Sequence, residues 1–77
     1  MTPAQRRILK VLERGGWLTL AHKPELHEGG LGFLGFVEKR TFRVLLQSGW
    51  VVSGLPRRFV ITAAGRAALA QKAGVKS

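Results

Sequence analysis

Breaks at glycine and proline divide this 77-residue chain into short segments, each long enough for one helix or one strand pair. Gly15 ends the first apolar segment, Gly49 ends a later one, and Pro56 interrupts the apolar stretch that follows. A chain of this length buries only about 60% of the surface that it exposes when unfolded, so its core is small. We therefore expect a single domain over residues 1–77, with a frayed tail at residues 74–77.

Two segments have the apolar spacing of amphipathic helices. Thr2 is suited to cap a first helix over residues 3–14, in which apolar residues recur on one face. Phe42 marks the centre of the apolar face of a second helix over residues 38–48, whose basic residues lie on a neighbouring arc. A third helix, over residues 63–73, is expected to end near Gly74.

The residues between the first two helices favour strands. Residues 17–20 and 31–36 are predicted to pair as an extra β-hairpin within residues 17–36. Residues 21–30 have the composition of the loop between these strands, and a short helix near residues 24–27 is the alternative.

The charge balance is the strongest indication of a partner. The chain has 13 Lys and Arg residues against 4 Asp and Glu residues, a formal net charge of +9 and a pI near 11.8. Eight of the basic residues lie within residues 37–77, where Glu38 is the single acid. This excess predicts an anionic partner that meets the C-terminal half of the chain.

The same sequence argues against several other classes of protein. The absence of cysteine excludes disulfides and thiolate metal sites and suits a reducing compartment, so we expect a cytoplasmic protein. No apolar run is long enough to span a membrane. The serines have no triad partners and "GGLGFLG" lacks the lysine of a phosphate-binding loop, so we expect no enzyme, cofactor or small-molecule substrate. No metal is predicted, because the spacing of the nearest candidate ligands matches no strong motif: His22, Glu25, His27 and Glu28.

The C-terminal half resembles a known family. Two strands, residues 50–52 and 59–61, are predicted on either side of an exposed turn at residues 53–58. "RTFRVLLQSGWV" looks like a recognition helix that leads into a wing strand, and "RFVITAAGRAAL" looks like the second wing strand with a C-terminal helix. Residues 37–70 thus resemble the winged helix-turn-helix DNA-binding domain of small bacterial and phage regulators.

The resemblance implies an α+β fold with three helices, a C-terminal hairpin wing and the extra hairpin where the family has a support helix. It also implies a transcriptional regulator or phage accessory factor that binds duplex DNA. Arginine can bond guanine edges, glutamine can read adenine, and arginine at a wing suits the minor groove. The implied DNA-binding residues are Lys39, Arg40, Thr41, Arg43 and Gln47 on the helix, with Arg57 and Arg58 on the wing.

Two alternatives remain open at this point. The glycine-rich stretch that contains Phe33 and Phe36 has no obvious role on DNA and suits a protein partner, either a host nucleic-acid machine that the protein inhibits or a second copy. Net charge alone suits RNA equally well. We expect most other aromatic residues, Trp17 among them, to pack in the core rather than to stack on bases.

Overall fold

A computed structural model describes residues 1–75, without the side chains of Leu55 and residues 72–75. Within that range the chain forms three helices and one five-stranded antiparallel sheet, so the predicted α+β class is confirmed. The end of the predicted tail, Lys76 and Ser77, lies outside the described residues. The elements in chain order are α1 (Pro3–Glu13), β1 (Trp17–Leu20), β2 (Pro24–Glu28), β3 (Gly32–Phe36), α2 (Lys39–Gln47), β4 (Val51–Leu55), β5 (Arg58–Ile61) and α3 (Ala63–Val75).

Helix α1 forms where the sequence predicts it. The Thr2 hydroxyl accepts a hydrogen bond from the Gln5 backbone N–H, and the Gln5 side-chain oxygen accepts one from the Thr2 N–H. This reciprocal cap satisfies two N–H groups that the start of a helix leaves without partners. After the helix, Gly15 has a φ of 99°, a left-handed conformation that glycine adopts without a Cβ penalty. The predicted range of residues 3–14 is correct to within one residue.

Helices α2 and α3 also lie close to their predicted positions. Helix α2 is one residue shorter at each end than the predicted range of residues 38–48. Thr62 precedes α3, and its hydroxyl accepts a hydrogen bond from the Gly65 N–H and donates one to the Gly49 carbonyl. The predicted stop at Gly74 is wrong because α3 continues through this residue. A glycine costs a helix about 1 kcal/mol and does not by itself end it.

The segment before α2 differs most from the prediction. Residues 24–28 form β2, which pairs with β1 on one side and with β3 on the other. The predicted loop over residues 21–30 and the alternative helix near residues 24–27 are therefore wrong. The predicted direct pairing of β1 with β3 is also wrong, because the strand order across the sheet is β3-β2-β1-β5-β4.

The composition of β2 explains why it was missed. Its buried positions, Pro24 and Leu26, alternate with the half-buried Glu25 and His27, as the two-residue period of a strand requires. Proline and glutamate are depleted in strands, so local propensity favours a loop here. The strand forms because β2 pairs with β1 along its whole length, which is a tertiary contribution.

The order of elements is not that of the predicted winged helix. Where that family has a support helix directly before the recognition helix, this chain has the strands β2 and β3. The predicted C-terminal hairpin is present as β4 and β5, but its strands are longer than residues 50–52 and 59–61. The predicted turn at residues 53–58 consequently contracts to Pro56-Arg57.

Alternation along the strands gives the sheet two different faces. Leu18 of β1 pairs with Leu26 of β2 and with Phe59 of β5, and these side chains point toward the helices on what we call the inner face. The neighbouring residues in each strand point the other way, onto the outer face. The core on the inner face consists of Ile8, Leu9, Val11, Leu12, Leu18, Leu26, Val37, Phe42, Leu45, Val51, Ile61 and Leu69.

Substitution of Gly65 tests how tightly α3 packs on this core. Helix propensity alone predicts that Gly65→Ala stabilises α3 by about 1 kcal/mol. A Cβ at Gly65, however, would lie 2.5 Å from the Trp50 carbonyl oxygen and 2.7 Å from Cγ1 of Ile61. We expect a net loss of about 1–3 kcal/mol, and hence a Tm lower by about 5–20 °C, in thermal unfolding followed by circular dichroism.

Gly30→Ala is the matched control, because a Cβ at Gly30 would meet no atom within 4 Å. We expect its Tm to stay within about 3 °C of the native value. A Gly65→Ala protein as stable as the native one would contradict the close packing of α3 on Trp50.

Candidate nucleic-acid interface

Helix α2 buries two apolar residues and exposes its basic ones. Phe42 and Leu45 are buried in the core, where the Phe42 ring meets that of Phe59 edge-on at a centroid distance of 5.1 Å. Thr41 is half-buried beside them. The exposed residues of the helix are Lys39, Arg40, Arg43 and Gln47, together with the apolar Leu46, which is 37% exposed. All five helix residues predicted to bind DNA are therefore on one short helix, four of them fully exposed.

The start of α2 carries an electrostatic conflict. Glu38 occupies the cap position but its side chain caps no backbone N–H, and the first turn contains no acidic residue. Instead Lys39 and Arg40 stand at the positive end of the helix dipole, where cations are unfavourable by about 0.3–1 kcal/mol. An anion bound at this turn would relieve the conflict.

The basic side chains of α2 form no ion pair among the described residues. The two ion pairs in that part of the chain join Arg14 to Glu28 and His27 to Glu25, both away from α2. Unpaired, exposed cations are hydrated in the free protein and keep their full charge for a partner. The exposed side of α2 is therefore a basic surface that forms no ion pair within the described residues, with Glu38 at the cap position as its neighbouring acid.

Arg57 occupies the tip of the β4–β5 hairpin in a strained conformation. Its φ is 64°, the left-handed region that glycine favours, and it follows Pro56, which is suited to the preceding turn position. A side chain with a Cβ pays roughly 1 kcal/mol to adopt this conformation. The turn keeps the Arg57 side chain exposed to solvent.

Arg58 points away from α2. Its guanidinium carbon lies 4.2 Å from the centre of the Trp17 ring, a cation–π contact on the outer face of the sheet. Its neighbour Phe59 faces inward and meets Phe42 of α2. The structure thus places Arg58 and the basic side of α2 on opposite faces of the sheet, with Arg57 at the hairpin tip.

Sequence reasoning missed a row of stacked side chains on the outer face. The Trp17 and His27 rings are parallel, with centroids 5.6 Å apart, and Phe33 meets His27 edge-on at 5.7 Å. With Arg58 on its other side, Trp17 is half-buried within this row and not in the core as expected. The sequence signal that could have placed Trp17 on the outer face is the alternation of Trp17 and Thr19 with the buried Leu18.

The polar groups beside this row satisfy one another. Nε2 of His27 lies 3.2 Å from Oε1 of Glu25 and 3.3 Å from the Thr19 hydroxyl. The Thr19 hydroxyl also donates a longer hydrogen bond, 3.5 Å, to the same Glu25 oxygen. These contacts join Thr19 Oγ1 of β1 to His27 Nε2 and one oxygen of Glu25 on β2, and so tie the two strands together.

Comparison with protein-family models, with curated protein sequences and with solved structures finds no match. Within the described residues, no helix is long and apolar enough to cross a membrane.

Two variants at Arg57 distinguish the effect of backbone strain on stability from the effect of charge. Arg57→Gly removes both the charge and the left-handed strain, whereas Arg57→Ala removes the charge and keeps the Cβ. We expect Arg57→Gly to be more stable than Arg57→Ala by about 1 kcal/mol, or about 4–8 °C in Tm, because only glycine adopts a φ of 64° freely. Equal Tm values for the two variants in thermal unfolding would contradict the strained turn.

Proposed function

We propose that this protein binds duplex DNA through the exposed side of α2, as a transcriptional regulator or phage accessory factor. The observation that carries the proposal is the set of exposed, unpaired cations Lys39, Arg40 and Arg43 at and after the positive end of a helix. They lie in a chain with a net charge of +9. The phosphate backbone of a nucleic acid is a polyanion that such a surface attracts.

The size and shape of α2 favour duplex DNA. A helix fits the major groove, where arginine pairs with guanine and glutamine with adenine. Arg43 and Gln47 are spaced four residues apart, so they lie on the same side of the helix and reach neighbouring positions on a ligand. Lys39 and Arg40, at the start of the helix, suit phosphate contacts.

The proposal assigns different weights to the two turn arginines. Arg57, exposed at the hairpin tip, is available for a contact with a phosphate or with the minor groove. Arg58, engaged with Trp17 on the outer face, contributes its charge to the long-range field rather than a direct contact. The proposal therefore rests on the charge of α2 and Arg57, and it does not require the winged-helix order of elements.

Binding of a labelled duplex of about 25 base pairs tests this proposal when it is measured by fluorescence anisotropy at salt concentrations between about 50 and 200 mM. We expect the double variant Arg40→Gln/Arg43→Gln to bind at least about tenfold more weakly at the lower salt concentration. We also expect its log–log salt slope to be shallower by about one, because the phosphate contact of Arg40 is lost.

The matched control is Lys10→Gln/Arg66→Gln, which removes the same charge from exposed positions of α1 and α3. We expect it to lose no more than about threefold in affinity, through the weaker long-range field. Equal losses in the two double variants would contradict an interface on α2. Tighter binding of a single-stranded RNA of the same length than of the duplex would contradict DNA as the ligand.

A further inference from the structure

The outer face of the sheet presents two aromatic rings to solvent. All three helices contribute to the core on the inner face, so the helices lie on the other side of the sheet. On the edge strand β3, Phe33 is 50% exposed and Phe36 is 62% exposed. Contiguous exposed apolar side chains mark sites of interaction, whereas single ones are common on any protein. The two rings together therefore indicate a ligand that packs on them.

A register shift brings the two rings together. Phe36 is opposite Glu25 and Phe33 is opposite His27, with one more residue between them on β3 than on β2. This bulge puts both phenylalanines on the outer face, although their spacing of three would separate them in a regular strand. Their rings meet edge-on with centroids 5.2 Å apart, and the contact of Phe33 with His27 is also edge-on. Neither ring is stacked face to face with another ring of the described residues, so a flat ligand can stack on each of them.

Positive charge lies on both sides of this pair. Nζ of Lys23 is 5.7 Å from the centre of the Phe36 ring. Arg58 is on β5, three strand spacings or about 14 Å across the sheet from β3. The acid that strand alternation places on this face is Glu25, and His27 Nε2 lies 3.2 Å from its carboxylate. The outer face thus combines exposed rings with a cation at each end.

We propose that the outer face binds single-stranded DNA, with two bases stacked on Phe33 and Phe36 and the flanking phosphates drawn to Lys23 and Arg58. Aromatic rings on an open sheet hold two or three unpaired bases in this way. Every base has a flat face and every nucleotide has a negative charge, so an unpaired strand matches both the rings and the cations. A duplex matches only the cations, because its bases are stacked on one another.

The single-strand site is separate from the proposed duplex interface. Helix α2 packs on the inner face, so the two surfaces lie on opposite sides of the sheet. The choice of DNA over RNA rests on the proposed function, whereas the stacking of bases on the two rings does not. A protein with both sites can hold a duplex and an unpaired strand together, as at the boundary of an opened duplex.

A labelled thymidine strand of about ten nucleotides tests the site, because it has unpaired bases and forms no duplex. The reference ligand is an abasic phosphodiester chain of the same length, which has the same charge and no bases. We expect the native protein to bind the thymidine strand at least about tenfold more tightly in fluorescence anisotropy at about 50 mM salt. Equal affinities would mean attraction by charge alone and would overturn the proposal, whether or not any variant folds.

Phe33→Leu/Phe36→Leu locates the site, because leucine remains apolar and lacks a flat ring. We expect it to bind the thymidine strand at least about tenfold more weakly, and Phe33→Tyr/Phe36→Tyr to stay within about threefold of the native protein. The control Val52→Thr changes a residue that is also 50% exposed, on the opposite edge strand β4, and should have no effect. Undiminished binding by the leucine variant, or an equal loss in the tyrosine variant, would refute stacking on β3.

The same variants distinguish a failure of this inference from a failure of the proposed function. We expect the leucine variant to keep its affinity for the duplex, and Arg40→Gln/Arg43→Gln to keep its affinity for the thymidine strand to within about threefold. A larger loss of strand binding in the α2 variant than in the leucine variant would place the strand on α2 and overturn the inference. A uridine strand that binds more tightly than the thymidine strand would overturn DNA as the occupant.

Discussion

The packing of three leucines at the junction of the sheet and the helices is the interaction on which the rest of this structure depends. Leu9 of α1, Leu18 of β1 and Leu45 of α2 each have no solvent exposure. A chain this small has one core, so each element buries its most apolar side chains there. The alternation of Leu18 with Trp17 and Thr19 then decides which face of the sheet is left without helices.

The side chains that this core excludes form three surfaces: the exposed side of α2, the outer face of the sheet around Trp17, and the free edge at β3. The burial of Phe42 and Leu45 turns the arginines of α2 outward, where they form no ion pair with a carboxylate of the described residues. On the other side of the sheet, Arg58 and His27 cover the two sides of the Trp17 ring, so an aromatic residue outside the core still finds partners. At the free edge, the phenylalanines of β3 meet one another and His27, and the Lys23 ammonium lies 5.7 Å from the centre of the Phe36 ring. The exposed side of α2 is therefore basic, and the free edge of β3 is largely apolar.

The elements that could be predicted from the sequence are those whose signal is local. Thr2 with Gln5 marks the start of α1, and Gly49 marks the end of α2, because caps and left-handed glycines act within one turn of a helix. The exposure of the α2 arginines also follows locally, since the position of Phe42 fixes the opposite arc of the helix. Strand β2 could not be predicted in this way, because its proline and glutamate oppose a strand and only its pairing with two neighbours stabilises it.

The sequence by itself determined the charge of the molecule, the α+β class and the two amphipathic helices, because each of these depends on residues that are neighbours in the chain. The tertiary structure alone decided that Arg58 lies against Trp17 and that Phe33 and Phe36 share a face. The position of Arg58 depends on the inward packing of its neighbour Phe59. The shared face of Phe33 and Phe36 depends on the bulge of β3 opposite β2. A strand sends successive side chains to opposite faces, so a shift of one residue in register reassigns a side chain from one face to the other. That register is set by contacts between segments far apart in the sequence, and no local pattern specifies it.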